Sequence, residues 1–147
     1  MYYPEFEKEK VVWAVISYDS KFAFVRKGIY ILDSAFILLS EIGFTKYLCT
    51  VMNSKIFDWE FKQIGVPLGQ GYQWKKLYIE LAHIPPIIPE NEPIVKQMET
   101  LVDEILVAKK QNPQTDTTEL ERKIDHLVYK LYDLTPNEIK IIKCRDE

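Results

Sequence analysis

The chain has 147 residues, which is enough for one ordinary domain with its own core, so neither disulfides nor a metal are required for folding. Apolar residues make up 47% of the chain and charged residues 28%, and this composition excludes a disordered polypeptide. The net charge of −3 argues against a generally basic nucleic-acid coat, although the stretch from Lys21 to Glu80 holds eight basic and five acidic residues.

The first third of the chain is rich in β-branched and aromatic residues, which favour strands. The runs of this kind are Val11–Tyr18, Phe22–Val25, Ile29–Leu32 and Ala35–Leu39. Short polar or glycine-containing breaks separate them. They predict a strand meander.

The next segment changes to a helical period. Apolar residues four and three apart predict one amphipathic helix packed on the sheet, ended by Gly65: they are Phe44, Leu48, Met52, Ile56 and Trp59. The glycines and the proline of 65–71 predict a loop. Tyr72–Leu81 is predicted as a further strand, closed by the prolines that follow.

The C-terminal third has the 4, 3, 4, 3 spacing of packed helices. The two apolar series are Ile94, Met98, Leu101, Ile105 and Ala108, and then Leu120, Ile124, Leu127, Leu131 and Leu134. A turn at 112–115 predicts that the two helices form an antiparallel, coiled-coil-like hairpin. Asp116–Glu119 and Thr135–Glu138 each have the spacing of a capping box, the second ahead of a short third helix.

These elements predict the α+β class: a small, mostly antiparallel sheet with a packed helix, followed by a C-terminal helical hairpin and a short terminal helix. We place the domain boundary between an α/β unit, 1–92, and the hairpin with the terminal helix, 93–147. The two cysteines, Cys49 and Cys144, form neither a disulfide framework nor a metal-binding spacing. With no secretory signal and no apolar run of membrane length, a cytoplasmic protein is expected.

One basic and aromatic segment, Trp74-Lys75-Lys76-Leu77-Tyr78, has two readings. It is either a strand that contacts phosphates or an edge strand kept soluble by its lysines. Asn53, between apolar helical positions, is expected to hydrogen-bond loop backbone and fix the helix to the sheet, whereas Lys55 is the better candidate for phosphate.

Enzyme motifs are weak in this chain. The tetrapeptide and glycine-rich turn of an adenine methyltransferase are both missing. Asp33 with Glu60 and Lys62 formally matches a metal-dependent nuclease, but Glu60 and Lys62 point apart on the predicted helix. His83 and His126 are far apart and are interpreted as structural or surface residues, so no metal site is predicted.

A family resemblance covers nearly the whole chain. Its parts are Lys10–Trp13, Ile16-Ser17, Phe22-Ala23, Leu32–Ser34, Asn53-Ser54-Lys55, Gly69-Gln70-Gly71, Trp74–Tyr78, Ile84-Pro85 and the hairpin segments around Ala108–Lys110, Ile124–Tyr129 and Leu131–Thr135. In this order they resemble the TaqI-like C-terminal specificity domain, the target-recognition domain of type IIG restriction-modification enzymes and adenine-specific DNA methyltransferases.

The resemblance implies that the chain reads DNA sequence and does no chemistry itself. It further implies a C-terminal fragment, with Met1 added at its start, of an enzyme whose upstream part carries the N6-adenine methyltransferase and often a nuclease. S-adenosylmethionine and Mg²⁺ are then expected only for that upstream part, with no cofactor in this chain. The expected partners are double-stranded DNA and the methyltransferase or nuclease portion of the same polypeptide, and no membrane.

The candidate DNA-binding residues are basic or amide side chains and aromatic neighbours in the predicted loops and strand. They are Lys21, Arg26, Lys27, Lys55, Gln70, Tyr72, Gln73, Trp74, Lys75 and Lys76. The alternative function is a non-catalytic protein-interaction or subunit-docking module that uses the helical hairpin.

Overall fold

A computed structural model describes residues 4–31, 35–40 and 44–144. The chain divides into two compact units. The first consists of the described residues up to Asn53 together with Phe57–Ile84, and the second consists of Ser54–Ile56 and the described residues from Pro85 onward. The chain therefore passes from the first unit to the second between Ile84 and Pro85. The predicted domain boundary after residue 92 stays a prediction.

The first unit opens with a 3₁₀ turn, Pro4–Glu7, and an antiparallel sheet. Its strands are β1 (Lys10–Ala14), β3 (Phe22–Val25) and β4 (Ala35–Leu38), in the order β3-β1-β4. Val12 of the central strand pairs with Ala23 on one side and Ile37 on the other. The order is not that of a simple meander, because β1 lies between its two successors.

The predicted strand at Ile29–Leu32 is wrong for its described residues. Gly28 turns the chain with a φ of 80°, and both Ile29 and Tyr30 are exposed. Without a partner strand or a buried face, their β-branched and aromatic character does not produce a strand. Leu32, Asp33 and Ser34 lie outside the described residues.

A second antiparallel sheet holds β2 (Ile16–Ser17), β6 (Gly71–Gln73) and β5 (Val66–Leu68), in the order β2-β6-β5. The segment predicted as a glycine-rich loop is therefore a β-hairpin. Leu68 pairs with Gly71 across a two-residue turn, and Gly69 has a φ of 61° at its first position. That is the position where a type II′ hairpin turn requires glycine.

The predicted single helix over Phe44–Trp59 is two helices, α1 (Thr45–Met52) and α2 (Lys55–Ile64). The helix is interrupted at Asn53. The Asn53 side chain hydrogen-bonds to the neighbouring sheet as well as to its own helix. Gly65 follows the end of α2 as predicted, and its N–H donates to the carbonyl of Phe61.

The predicted strand at Tyr72–Leu81 is confirmed only for Tyr72 and Gln73 and is wrong beyond them, since β6 ends at Gln73 and a short helix, α3 (Lys76–Ile79), follows. Trp74 and Ile79 are both buried in the same core cluster. On one continuous strand, residues an odd number of positions apart would point to opposite faces. The helical turn lets both side chains enter one core.

The second unit contains α4 (Glu92–Gln111), α5 (Thr118–Leu131) and α6 (Pro136–Lys143). α4 and α5 pack together, as predicted. The capping box of Thr135 and Glu138 at the start of α6 is confirmed. The one predicted for Asp116 and Glu119 is wrong.

At the start of α5 the Asp116 carboxylate accepts hydrogen bonds from the backbone N–H and the hydroxyl of Thr118. These bonds hold the pKa of Asp116 below its ordinary value. Thr117 takes the N-cap position, and its hydroxyl donates to Glu121. The α+β class is confirmed, with two small antiparallel sheets, the packed α4–α5 pair and the short terminal helix.

Within the described ranges, no helix is both long enough and apolar enough to cross a membrane.

Candidate nucleic-acid interface

Trp74 anchors the β5–β6 hairpin to the rest of the first unit. Its indole N–H donates to the Ser17 carbonyl at 2.9 Å, and its own carbonyl accepts from the Trp13 indole at 2.8 Å. Its ring stacks on Phe61, with centroids 3.8 Å apart. With only 1% of its surface exposed, Trp74 could meet a DNA base only if the core opened, so we leave it out of the interface.

Gly71 brings β6 close to β2. A Cβ at this position would lie 3.0 Å from the Ser17 carbonyl oxygen, so a larger residue would push the strands apart. The register fixes which side chains face out, because directly paired residues share a face. Tyr72 pairs with Ser17 and packs against the core, so Gln73 faces the other side.

The outer face of this sheet holds Gln73 with its strand partners Ile16 and Val66. Ile16 is 54% exposed, and Val66 is exposed as well. Gln70, in the turn, is also exposed. Two amide side chains of the predicted set thus lie on one hairpin, Gln70 exposed and Gln73 partly exposed, whereas Tyr72 packs against the core.

Lys75 and Lys76 follow the hairpin directly. Lys75 has an extended backbone and occupies the N-cap position of α3 without a side-chain cap bond, and Lys76 is the first residue of that helix. Both are exposed. The only ion pair described for Lys76 is to Glu80 at 3.5 Å, between two largely exposed groups, and such a pair is too weak to keep the lysine from a phosphate.

The other basic candidates of the first unit flank β3. Lys21 precedes it, while Arg26 and Lys27 follow it, and all three are exposed. The two ends of this segment are about 17 Å apart in extended geometry. The structure therefore does not gather these cations into one cluster.

A buried lysine holds the Arg26–Lys27 loop in place. The Lys10 ammonium is fully buried and donates to the carbonyls of Phe6 and Lys8 at 2.9 Å and of Arg26 at 3.4 Å. The Gly28 N–H also donates to the Phe6 carbonyl, at 2.9 Å. The start of the chain and the loop after β3 thus fix one another.

Lys55 is exposed at the first turn of α2, and its contacts group it with the second unit.

Asn53 fixes its helix to the sheet as expected, but its partner is the backbone of strand β3 and not of a loop. Its amide oxygen accepts from the Phe22 N–H at 2.9 Å, and its amide nitrogen donates to the Phe22 carbonyl at 2.7 Å. The side chain therefore mimics a strand partner and ties the end of α1 to β3.

Sequence reasoning did not include Tyr18 or Lys62 among the candidate DNA-binding residues. Tyr18 directly follows β2 and is 64% exposed, and the Lys62 ammonium lies 5.0 Å from its ring centroid. Lys62 also pairs with Asp19 at 2.8 Å and Asp58 at 2.7 Å. Partial burial alone would lower the pKa of Lys62, but these two carboxylates outweigh it and raise the pKa. The sequence feature that could have pointed to Tyr18 is its position as an aromatic residue directly before the Asp19-Ser20 turn.

The nuclease-like residues have other partners. The Glu60 carboxylate accepts hydrogen bonds from the backbone N–H and the ring of His83. Lys62 instead contacts Asp19 and Asp58, and Asp33 lies outside the described residues.

No protein-family model matches this chain, and no curated protein matches it either. The interface therefore rests on its own geometry.

Proposed function

We propose that the chain is a DNA target-recognition domain that reads sequence with the β5–β6 hairpin. The observation that carries this proposal is the hairpin itself, which presents Gln70 and Gln73 outward and is followed at once by Lys75 and Lys76. A two-stranded ribbon fits the major groove of B-DNA, and the end of the hairpin around Gln70, with which β2 does not pair, is such a ribbon. A glutamine can bond adenine bidentately. The lysines would contact phosphates and set the register.

The anchoring by Trp74 supports this role. Direct readout requires side chains held in a fixed geometry, and a hairpin tied to β2 and α2 meets this requirement. The outer apolar residues Ile16 and Val66 could meet thymine methyl groups. Lys21, Arg26 and Lys27 would add phosphate contacts at the ends of β3.

The net charge of −3 means that this chain alone offers little electrostatic attraction to DNA. Under the proposal, further affinity comes from the methyltransferase or nuclease portion of the same polypeptide. The chemistry of S-adenosylmethionine and Mg²⁺ belongs to that portion as well, and this chain recognises the DNA sequence.

The test is binding of the full chain to a randomised duplex pool at two salt concentrations, followed by sequencing of the retained DNA. Lys75→Ala with Lys76→Ala should weaken binding and lower the salt slope by about two or less. Lys123→Ala with Lys130→Ala, an equal charge change on α5, is the matched control. Gln73→Ala should change the enriched motif while it leaves the slope unchanged.

An unchanged slope in the Lys75 and Lys76 variant would remove these residues from the interface. No binding to any duplex would favour a protein-docking module instead. The observation for that second function is the exposed apolar outer face of Ile16, Val66 and Leu68, a surface of the kind that also docks proteins.

A further inference from the structure

A polar cleft of about 480 Å³ lies in the second unit. This is within the size range of small-molecule sites. Its wall is one face of α5, and α6 and Lys55 complete it. The charged and titratable residues that line it are Lys55, Glu121, Arg122, Asp125, His126 and Lys143.

The cleft follows from the pattern of α5. Residues three and four apart share a helix face, and Thr118, Glu121, Asp125 and Tyr129 are spaced in this way. Three apolar residues of α5, Ile124, Leu127 and Val128, are buried. The helix therefore keeps a polar face away from its apolar side, and this face lines the cleft.

The charges of the cleft are mixed. Three fixed cations reach it from three elements: Lys55 from α2, Arg122 from α5 and Lys143 from α6. Glu121 and Asp125 lie among them, and burial raises the pKa of Asp125 despite the nearby charge of Lys55. A cleft meant only for an inorganic anion would gain nothing from two carboxylates. Mixed charges suit a ligand that has both an anionic group and hydrogen-bond donors.

We propose that this cleft binds a phosphorylated small molecule with hydroxyl or amino donors, of the nucleoside monophosphate class. Arg122, Lys143 and Lys55 hold the phosphate through charge-assisted hydrogen bonds. Glu121 and Asp125 accept from the hydroxyl or amino groups. The residues that line this cleft include none of the hairpin residues, so its test is independent of DNA recognition.

The experiment is isothermal titration of the full chain with adenosine 5′-monophosphate, inorganic phosphate and adenosine. The monophosphate should bind more tightly than either component. Arg122→Ala with Lys143→Ala should weaken its binding by at least about tenfold, as expected for lost charge-assisted bonds. Lys123→Ala with Lys140→Ala is the control, because both lysines are exposed on the same helices but do not line the cleft.

Asp125→Ala should weaken binding of the monophosphate but leave binding of inorganic phosphate unchanged. Arg122→Lys should retain part of the binding that is lost with Arg122→Ala. Circular dichroism would show that each variant is folded. Absent binding of the monophosphate at millimolar concentration, or an equal loss in the control, would overturn the proposal. Phosphate that binds as tightly as the monophosphate would overturn the role of the carboxylates.

Discussion

The amide of Asn53 exchanges two hydrogen bonds with the backbone of Phe22 and a third with the carbonyl of Cys49, at 2.9 Å. A side chain that pairs with a strand in this way replaces a missing neighbour in the sheet. It also explains why the apolar spacing from Phe44 to Trp59 did not produce one helix. The spacing was right for each half, but periodicity alone does not show where a polar residue has a partner outside the helix.

Asn53→Ala should therefore lower the free energy of unfolding by about 2–3 kcal/mol, because it leaves the Phe22 N–H without its partner and the Phe22 carbonyl with only the weak donor of the Cys49 thiol. Urea unfolding followed by circular dichroism measures this. Asn137→Ala, at an exposed position of α6, should change stability by no more than about 0.5 kcal/mol. Equal effects at the two sites would contradict the strand-partner role.

Cys49 makes stability depend on alkaline pH. Burial raises the pKa of its thiol from 9.0 to about 11, although the hydrogen bond from Asn53 acts in the opposite direction. The unfolded chain loses this proton first, so the contribution is complete below pH 9 and is lost as the pH rises from 9 to 11. The loss should be on the order of 2–3 kcal/mol.

Unfolding midpoints in urea at pH 7, 9, 10 and 11 would show this decline. Cys49→Ala should flatten the curve over that range. Burial raises the pKa of Tyr47 to about 12, so the stability of the Cys49→Ala variant should still fall in part above pH 10. A Cys49→Ala curve parallel to that of the parent would show that the thiol is not the group responsible.

At the scale of elements, the α4–α5 pair and α6 could be predicted from sequence, whereas the hairpin and α3 could not. A long apolar series from Ile94 to Ala108 and a complete capping box at Thr135 act locally, so they are visible in sequence. The short segments around Trp74 are decided by the core. The packing of one indole on Phe61 overrides the strand preference of its neighbours.

The end of α5 is held by backbone bonds of Schellman type. The N–H groups of Asp133 and Leu134 donate to the carbonyls of Lys130 and Tyr129, each at 3.1 Å. Asp133 has a φ of 53°, in the left-handed region where glycine fits without strain. Leu134, predicted on the apolar seam of the helix, instead lies beyond the helix end.

Asp133→Gly should raise the free energy of unfolding by roughly 0.5–1 kcal/mol relative to the parent, because it removes the left-handed strain. Asp133→Ala keeps the backbone strain and should be less stable than the glycine variant. Thermal unfolding of both proteins measures the difference. A glycine variant no more stable than the alanine variant would show that the aspartate adopts this conformation without cost.

At the scale of the whole molecule, charge limits what the chain can do on DNA. The first unit offers five exposed basic candidates, Lys21, Arg26, Lys27, Lys75 and Lys76, in a protein of net charge −3. If each neutralises one phosphate, the logarithm of the affinity should fall with the logarithm of salt with a slope no steeper than about −4.5.

Binding to one duplex between 50 and 300 mM salt would give this slope. A steeper one would mean that cations other than these five take part, such as Lys55 or the basic residues of α5. The candidate site could be predicted only in part, since Gln70, Gln73 and the two lysines became candidates through the family resemblance together with their residue types. Composition could not show that Trp74 is buried or that Tyr18 is exposed, because both depend on how β2 meets β6.

Because the ammonium of Lys10 is buried, the rate at which this lysine is chemically labelled depends on local opening of the structure. Amine-acylating reagents attack lysines that reach water, so the exposed Lys75 and Lys76 should react quickly. Lys10, enclosed by three carbonyl groups, should react only as often as the start of the chain separates from the Arg26 loop. Its acylation rate, followed by mass spectrometry, would therefore time the opening of that loop, and a bound duplex that engages Arg26 should slow it.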